Sequence, residues 1–112
     1  MDTSQTGGTF LGNEQSVVKT VIVNAAAEIV LSHPKRRKLF YCRNTSTAGQ
    51  IVTIVLSNET AAVDQVGIIL NPGESFNDCS SEGYKAWSGT VRAIADVIAG
   101  SVTVTEIAEE SN

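Results

Sequence analysis

The stretch Thr90–Ile107, which reads TVRAIADVIAGSVTVTEI, decides the fold class of this chain. Its first part, Thr90–Ile98, alternates between two sets of side chains, and its second part, Ser101–Ile107, alternates valine with threonine. A period of two places successive side chains on opposite faces of a β-strand. The pair Ala99-Gly100 lies between the two parts and marks a turn. The stretch therefore predicts two consecutive short strands rather than a helix.

The rest of the chain consists of further short runs, some alternating and some strongly apolar, between turn signals such as Asn71-Pro72-Gly73. Further strands are expected at Ser16–Asn24, Ala27–Ser32, Arg37–Asn44, Gln50–Ser57, Val66–Leu70 and Glu74–Asp78. Thirteen valines, nine isoleucines and eleven threonines support this, because β-branched side chains fit a pleated sheet better than a helix. No helical segment is long enough for the crossover of a parallel sheet. The expected fold is all-β, a single antiparallel β-sandwich or jelly roll of about eight strands with an extended N-terminal arm.

The 112-residue length fits one domain, since a chain of this size buries enough surface to form its own core. Residues 1–13 are polar and glycine-rich apart from Phe10-Leu11, and they are predicted to form the arm. Residues 14–107 are predicted to form the β-sandwich domain, and residues 108–112 an acidic tail. The first residues lack the basic and apolar regions of a signal peptide, and no apolar run is long enough to span a membrane. We therefore expect synthesis in the cytoplasm and no membrane partner.

Charge is distributed unevenly along the chain. The formal net charge is −4, yet residues 33–43 carry five basic residues and no acidic one, while residues 44–112 carry two basic residues against nine acidic ones. Nucleic-acid binding requires a basic face on the domain as a whole, so no nucleic-acid partner is expected. The basic run at 35–38 has two interpretations, a solvated turn or an electrostatic contact with an acidic protein surface. The candidate contacts with a protein partner are Phe10, Leu11, Lys35, Arg36, Arg37 and Lys38.

Residues that usually carry catalysis or hold metals are sparse. His33 is the single histidine, and Cys42 and Cys79 are not spaced as a CxxC pair, so a zinc site is not expected. His33 would also have to serve as the base for any serine or cysteine nucleophile, and neither a GxSxG motif nor a phosphate-binding glycine motif occurs. The acidic residues between positions 74 and 82 do not match a calcium loop. We therefore expect no enzymatic activity, no catalytic residue, no metal and no cofactor.

Phe76, Tyr84 and Trp87 form an aromatic cluster along the sequence. Three aromatic rings near a turn are compatible with two roles. They can close one end of a sandwich core, or they can form a flat platform on which a sugar stacks. A carbohydrate-binding β-sandwich module is therefore kept as an alternative function.

Five segments, taken in order, resemble a known family. They are Asn24-Ala25-Ala26-Ala27, His33–Ser46 (HPKRRKLFYCRNTS), Val66–Glu74 (VGIILNPGE), Tyr84–Ala95 (YKAWSGTVRAIA) and Ala99–Glu106 (AGSVTVTE). This order of features resembles the small β-sandwich virion structural proteins of tailed bacteriophages, of the head decoration or cement type. The resemblance covers residues 16–107.

The resemblance implies a non-enzymatic capsid decoration protein that binds the major capsid protein and stabilises the shell. It also implies a homo-oligomer, with a trimer favoured, that lies on the capsid surface of the virion after synthesis in the host cytoplasm. A tail or neck accessory protein of the same particle is the alternative within this resemblance. The family has no catalytic residues, so none are transferred to this sequence.

Overall fold

The computed structural model describes residues 14–32 and 36–109. Within these ranges the chain forms eight β-strands and no helix, which confirms the all-β prediction. The strands are β1 (Glu14–Val23), β2 (Glu28–Leu31), β3 (Arg36–Asn44), β4 (Val52–Leu56), β5 (Ile68–Leu70), β6 (Ser75–Cys79), β7 (Val91–Ala95) and β8 (Gly100–Glu109). In the described part of the chain, no helix has the length and apolarity needed to cross a membrane.

The first four strands pair with the last four in reverse order and form two four-stranded sheets. Sheet one has the order β1-β8-β3-β6, sheet two has the order β2-β7-β4-β5, and every pairing is antiparallel. The first strand thus pairs with the last, the second with the seventh, the third with the sixth and the fourth with the fifth. This is the strand order of a double-sheet jelly roll. The β-sandwich is therefore a jelly roll, the more specific of the two architectures that the sequence predicted.

Alternating side chains from both sheets fill the space between them. Every second residue of β8 from Gly100 to Ala108 is buried, as the alternation in its sequence predicts. The strongly apolar β4 lies between β7 and β5 and buries Val52, Thr53 and Ile54. The buried hydrophobic cluster comprises Val23, Val30, Leu31, Phe40, Cys42, Val52, Ile54, Leu70, Val91, Ala93, Ala95, Val102 and Val104. Each large aliphatic side chain that leaves water completely contributes about 1.5–3 kcal/mol to folding.

An irregularity in β3 decides where its basic side chains point. In the ladder with β8, Arg37 lies opposite Ala108 and the next paired residue is Leu39, so Lys38 is an extra residue in the strand. Such a β-bulge inserts one extra residue into one strand, so the in-and-out alternation of side chains before the bulge is offset by one residue from the alternation after it. An unbroken alternation from Phe40 would place Lys38 on the inner face. The bulge places Arg37 there instead, and Arg37 is buried.

Two strand ends differ from the sequence-based expectation. β7 stops at Ala95, earlier than the alternation predicts. The Asp96 carboxylate accepts a hydrogen bond from the Ile51 N–H at 2.9 Å, and Ala99 adopts a left-handed φ of 67°, so the chain turns here. β8 instead continues to Glu109, because its ladders with β1 and β3 both extend that far.

The loops gather at the two ends of the jelly roll. One end holds the segments 24–27, 45–51, 71–74 and 96–99. The other end holds the segments 57–67 and 80–90 together with the start of β3. We call this second end the basic end, because Arg36, Arg37 and Lys38 lie there.

Candidate functional site

Arg37 lies inside the jelly roll at the basic end. Its side chain is fully buried, and its Nε donates a hydrogen bond to a Glu106 carboxylate oxygen at 2.6 Å. Its Nη1 donates to the carbonyl oxygens of Trp87 at 2.8 Å and Gly89 at 2.9 Å, and its Nη2 donates to the Ser32 carbonyl oxygen at 3.1 Å. Every nitrogen of the guanidinium group therefore has a partner, which a buried charge requires.

The Arg37 network joins three parts of the fold. Glu106 belongs to β8 in sheet one, Ser32 follows β2 in sheet two, and the two other carbonyl groups belong to the 80–90 loop. The guanidinium carbon also lies 5.6 Å from the centroid of the Phe40 ring, at the distance of a cation–π contact. This burial corrects the expectation that Arg37 contacts a partner, because its side chain is held inside the fold.

An open cavity of about 620 Å³, lined in part by Arg37, lies at the basic end. Its lining combines basic side chains with serine hydroxyl groups. The lining residues are Arg36, Arg37, Lys38, Ser80, Ser81, Lys85, Ala86, Ser88 and Glu109. We call this cavity the basic pocket. It is built from the start of β3, the end of β8 and the 80–90 loop, so residues that are distant in sequence share it.

The rim of the basic pocket is positively charged. The Glu109 carboxylate lies 3.5 Å from Arg36 Nη1 and 3.5 Å from Lys38 Nζ. The Arg36 side chain is 73% exposed and the Lys38 side chain 41%, so water screens both contacts and each contributes at most about 1 kcal/mol. Lys85 is also exposed. The lining therefore carries three exposed basic side chains and one carboxylate.

Hydrogen bonds fix the 80–90 loop beside β3. The Ser80 N–H donates to the Lys38 carbonyl oxygen at 2.8 Å, and the Ala86 N–H donates to Ser80 Oγ at 2.8 Å. These bonds hold both ends of the short segment that carries Lys85. The loop thereby brings a lysine from one region of the sequence to the basic run of another.

The aromatic cluster is divided between the core and the surface. Phe76 and Trp87 are partly buried against the core, and the Phe76 ring centroid lies 5.9 Å from that of Phe40. Tyr84 is exposed, and its hydroxyl donates to an Asp78 carboxylate oxygen at 2.7 Å, a hydrogen bond that raises the pKa of Tyr84. Two of the three rings therefore pack against the core. Tyr84 is the one ring of the three that is mainly exposed, so the three rings do not form a flat surface platform on which a sugar could stack.

The six predicted contact residues have three different outcomes. Phe10, Leu11 and Lys35 lie outside the described residues. Arg36 and Lys38 share the exposed rim of the basic pocket, whereas Arg37 lines it with a buried side chain. Lys85 is the basic residue that sequence reasoning missed. A single lysine in a loop forms no pattern, so only the folded loop reveals its position.

The two cysteines are free and occupy different environments. Cys42 is buried in β3, and Cys79 is exposed at the end of β6. Burial raises the pKa of the Cys42 thiol to about 12, against a smaller opposing effect of the Arg37 charge. A thiol in this state is a poor nucleophile. Across residues 14–32 and 36–109, no group of three or more His, Cys, Asp or Glu side chains is arranged to hold a metal ion.

No family model and no curated protein matches the chain. A solved structure does match, that of a Bacillus protein described by the statement "Bacillus endospore appendages form a novel family of disulfide-linked pili". The match has a TM-score of 0.51 and 15% sequence identity, and it covers 88% of this chain and 88% of that chain. At this identity the likeness concerns the fold, which the two chains share over most of their length.

Proposed function

We propose that the chain is a non-enzymatic structural subunit that binds protein surfaces in a multi-copy assembly. This proposal rests on one observation, that the neighbouring basic residues at 36–38 differ in whether they are buried or exposed. Arg37 is held inside the fold, whereas Arg36 and Lys38 join Lys85 around an open, serine-lined pocket. Exposed basic side chains and hydroxyl groups in one pocket suit the carboxylates of an acidic protein surface.

The fold adds two supports of a different kind. Double-sheet jelly rolls are used by viral capsid domains. The similar solved structure belongs to appendages described as pili, which are also assemblies of many copies. Both supports are analogies between folds, and the basic pocket supplies the specific argument.

Within this class, we propose that the chain is a capsid decoration protein of a tailed bacteriophage. It binds the major capsid protein on the outer surface of the shell and stabilises the shell, and it self-associates there. The order of sequence features supports this assignment. Each surface ion pair is weak, but a small contact repeated over many copies gains strength from multivalency. The basic pocket then sets the register of docking.

Charge reversal at the pocket tests the proposal. The double variant Arg36→Glu, Lys85→Glu replaces two exposed positive charges at the pocket. The matched control Arg43→Glu, Thr47→Glu, Ala48→Glu makes the same change in net charge at exposed positions that lie outside both the pocket lining and β1. We expect the pocket variant to lose at least about tenfold in affinity for shells, which corresponds to ~1.4 kcal/mol, and the control to bind normally.

Shell stability is measured on the same samples by heating bare and decorated shells. Equal binding by the pocket variant and its control would place the contact elsewhere on the jelly roll. Bare shells as resistant to heat as decorated ones would contradict the stabilising role. Cryo-electron microscopy that locates the protein on the tail or neck would move the proposal to an accessory protein of those structures.

A filament subunit is the second candidate, because the similar solved structure comes from appendages described as disulfide-linked pili. Cys79 is the cysteine of this chain that such a link could use, since Cys42 is buried. Electron microscopy of the purified full-length protein separates the candidates. Filaments that form without any shell and dissolve on reduction, or with Cys79→Ser, would favour this second function.

A further inference from the structure

The free edges of the two sheets differ in how they are protected. A free edge exposes unpaired backbone groups, and proteins usually shorten, bend or interrupt such edges. Among the described strands, the edges are β1 and β6 in sheet one and β2 and β5 in sheet two. β2 has four residues with a register break between Ile29 and Leu31. β5 has three residues and β6 has five, so neither offers a long template.

In the described part of the chain, β1 is neither short nor bent nor interrupted, and its charged residues are Glu14 at its first position and Lys19 near its middle. It has ten residues without proline or glycine, and its ladder with β8 has no register break. No described strand pairs with its second edge. Residues 15–20 are exposed on both faces, and Val17, Val18 and Ile22 are 45%, 65% and 59% exposed. A long edge that exposes valine and isoleucine side chains is one to which another strand adds.

We propose that β1 pairs with β1 of a second copy of this chain, antiparallel about a two-fold axis. The pairing joins two four-stranded sheets into one continuous sheet of eight strands. Length favours this partner, because each of the other described edge strands has at most five residues against ten in β1. The contact is isologous and closes on itself rather than propagating. This inference rests on the proposed function, which supplies the multi-copy assembly.

The outer face of β1 suits contact with an identical strand. Val18, Thr20 and Ile22 alternate on this face, and the Thr20 hydroxyl already lies 3.0 Å from the Thr103 hydroxyl of β8. These outer positions, from Ser16 onward, carry no charge. On this face, two copies therefore bring apolar and hydroxyl side chains together without opposing like charges, whereas Lys19 lies on the other face and disfavours a register that places it opposite its own copy. One strand pair buries a small area, so the contact is weak in dilute solution and stronger where an assembly concentrates the copies.

The double variant Val18→Lys, Ile22→Lys tests the contact, because it places like charges on both sides of the two-fold axis. Both side chains are more than half exposed, so the fold persists, and circular dichroism checks this. Ile69→Lys is the matched control, since Ile69 is an exposed isoleucine on the β5 edge. Sedimentation equilibrium of full-length proteins measures dimerisation. We expect the double variant to weaken it at least about tenfold, or ~1.4 kcal/mol, and the control to leave it unchanged.

Cysteine cross-linking measures the direction of pairing. In a Cys79→Ser background, single cysteines replace Ser16, Val18, Thr20 and Ile22 in turn. An antiparallel pair has one centre, so one or two neighbouring positions cross-link strongly and the others do not. Cross-linking of equal strength at all four positions would indicate a parallel, in-register pair and would overturn the inference.

The outcomes separate this inference from the proposed function. A wild-type protein that stays monomeric up to millimolar concentration overturns the β1 contact, and so does a trimer that the double variant leaves intact. Neither result tests binding to shells, which the pocket variants test separately. A dimer that depends on β1, in a protein that neither binds shells nor forms filaments, supports the inference and contradicts the proposed function.

Discussion

Each end of β3 buries one polar side chain, and the two side chains differ in charge. At the basic end, Arg37 is a cation balanced by Glu106 and by three carbonyl groups. At the other end, Asn44 is neutral and fully buried. Its Nδ2 donates to two backbone carbonyl oxygens at 2.8 Å each, and its Oδ1 accepts from a backbone N–H at 3.0 Å. Both groups are satisfied, but only one of them carries a charge into the interior.

This difference bears on where the proposed acidic partner would bind. The Asn44 end uses its hydrogen bonds to tie the 45–51 loop to β5, and the exposed tip of its 96–99 loop, Val97 and Ile98, is uncharged. At the basic end, one arginine is buried and the neighbouring basic residues remain on the surface. The basic residues at 36–38 therefore have two roles, since Arg37 stabilises the interior and Arg36 and Lys38 give the pocket its positive charge.

The largest expected effect is that of Arg37→Ala. It leaves the Glu106 carboxylate buried without its partner, and breaking a buried ion pair in this way costs about 3–5 kcal/mol of unfolding free energy. Urea denaturation followed by tryptophan fluorescence measures the change. The double variant Arg37→Met, Glu106→Leu removes both charges and should recover part of the loss, although three backbone carbonyl groups lose the hydrogen bonds that Arg37 donates. A loss below about 1 kcal/mol in Arg37→Ala would show that the network does not anchor this end.

Asn44→Ala should have the next largest effect, and it compares the neutral end with the charged one. It removes three hydrogen bonds of a buried side chain but leaves no buried charge, so we expect a loss of about 1–3 kcal/mol. Asn77→Ala, at an exposed position in β6, is the control and should change stability by less than about 0.5 kcal/mol. If Asn44→Ala proved as costly as Arg37→Ala, charge would not be the feature that distinguishes the ends.

The strands were predictable from the sequence, whereas the positions of the basic side chains were not. Alternation in β8, the apolar run of β4 and the turn residues beside them determine where these two strands lie, because these signals are local. The bulge at Lys38 is set by pairing with β8, which no local pattern reveals, and it moves Arg37 to the inner face. Lys85 reaches the basic pocket through the hydrogen bonds of a long loop. Sites assembled from distant segments depend on tertiary contacts that a single sequence does not display.

Cys42 lies between the two ends of β3 and gives a pH-dependent prediction. Its pKa is raised to about 12 in the folded state from 9.0, so its contribution to stability is complete below pH 9 and is lost as the pH rises towards 12. Between pH 7 and pH 10 the wild type should lose about 1 kcal/mol more than Cys42→Ala does. Urea unfolding at both pH values measures this. Parallel losses in the two proteins would show that the thiol does not titrate on unfolding.

The smallest effect is expected for Arg36→Ala, although Arg36 is the direct neighbour of Arg37. Its ion pair with Glu109 spans 3.5 Å on a side chain that is 73% exposed, so its removal should change stability by less than about 0.5 kcal/mol. Salt at ~1 M shortens the screening length to about 3 Å and should abolish even that change, while most of the Arg37→Ala loss should persist because its charge is shielded from salt. Chemical denaturation in urea at low and high salt measures both variants side by side. A large, salt-independent loss in Arg36→Ala would mean that the rim supports the fold and is not free to bind a partner.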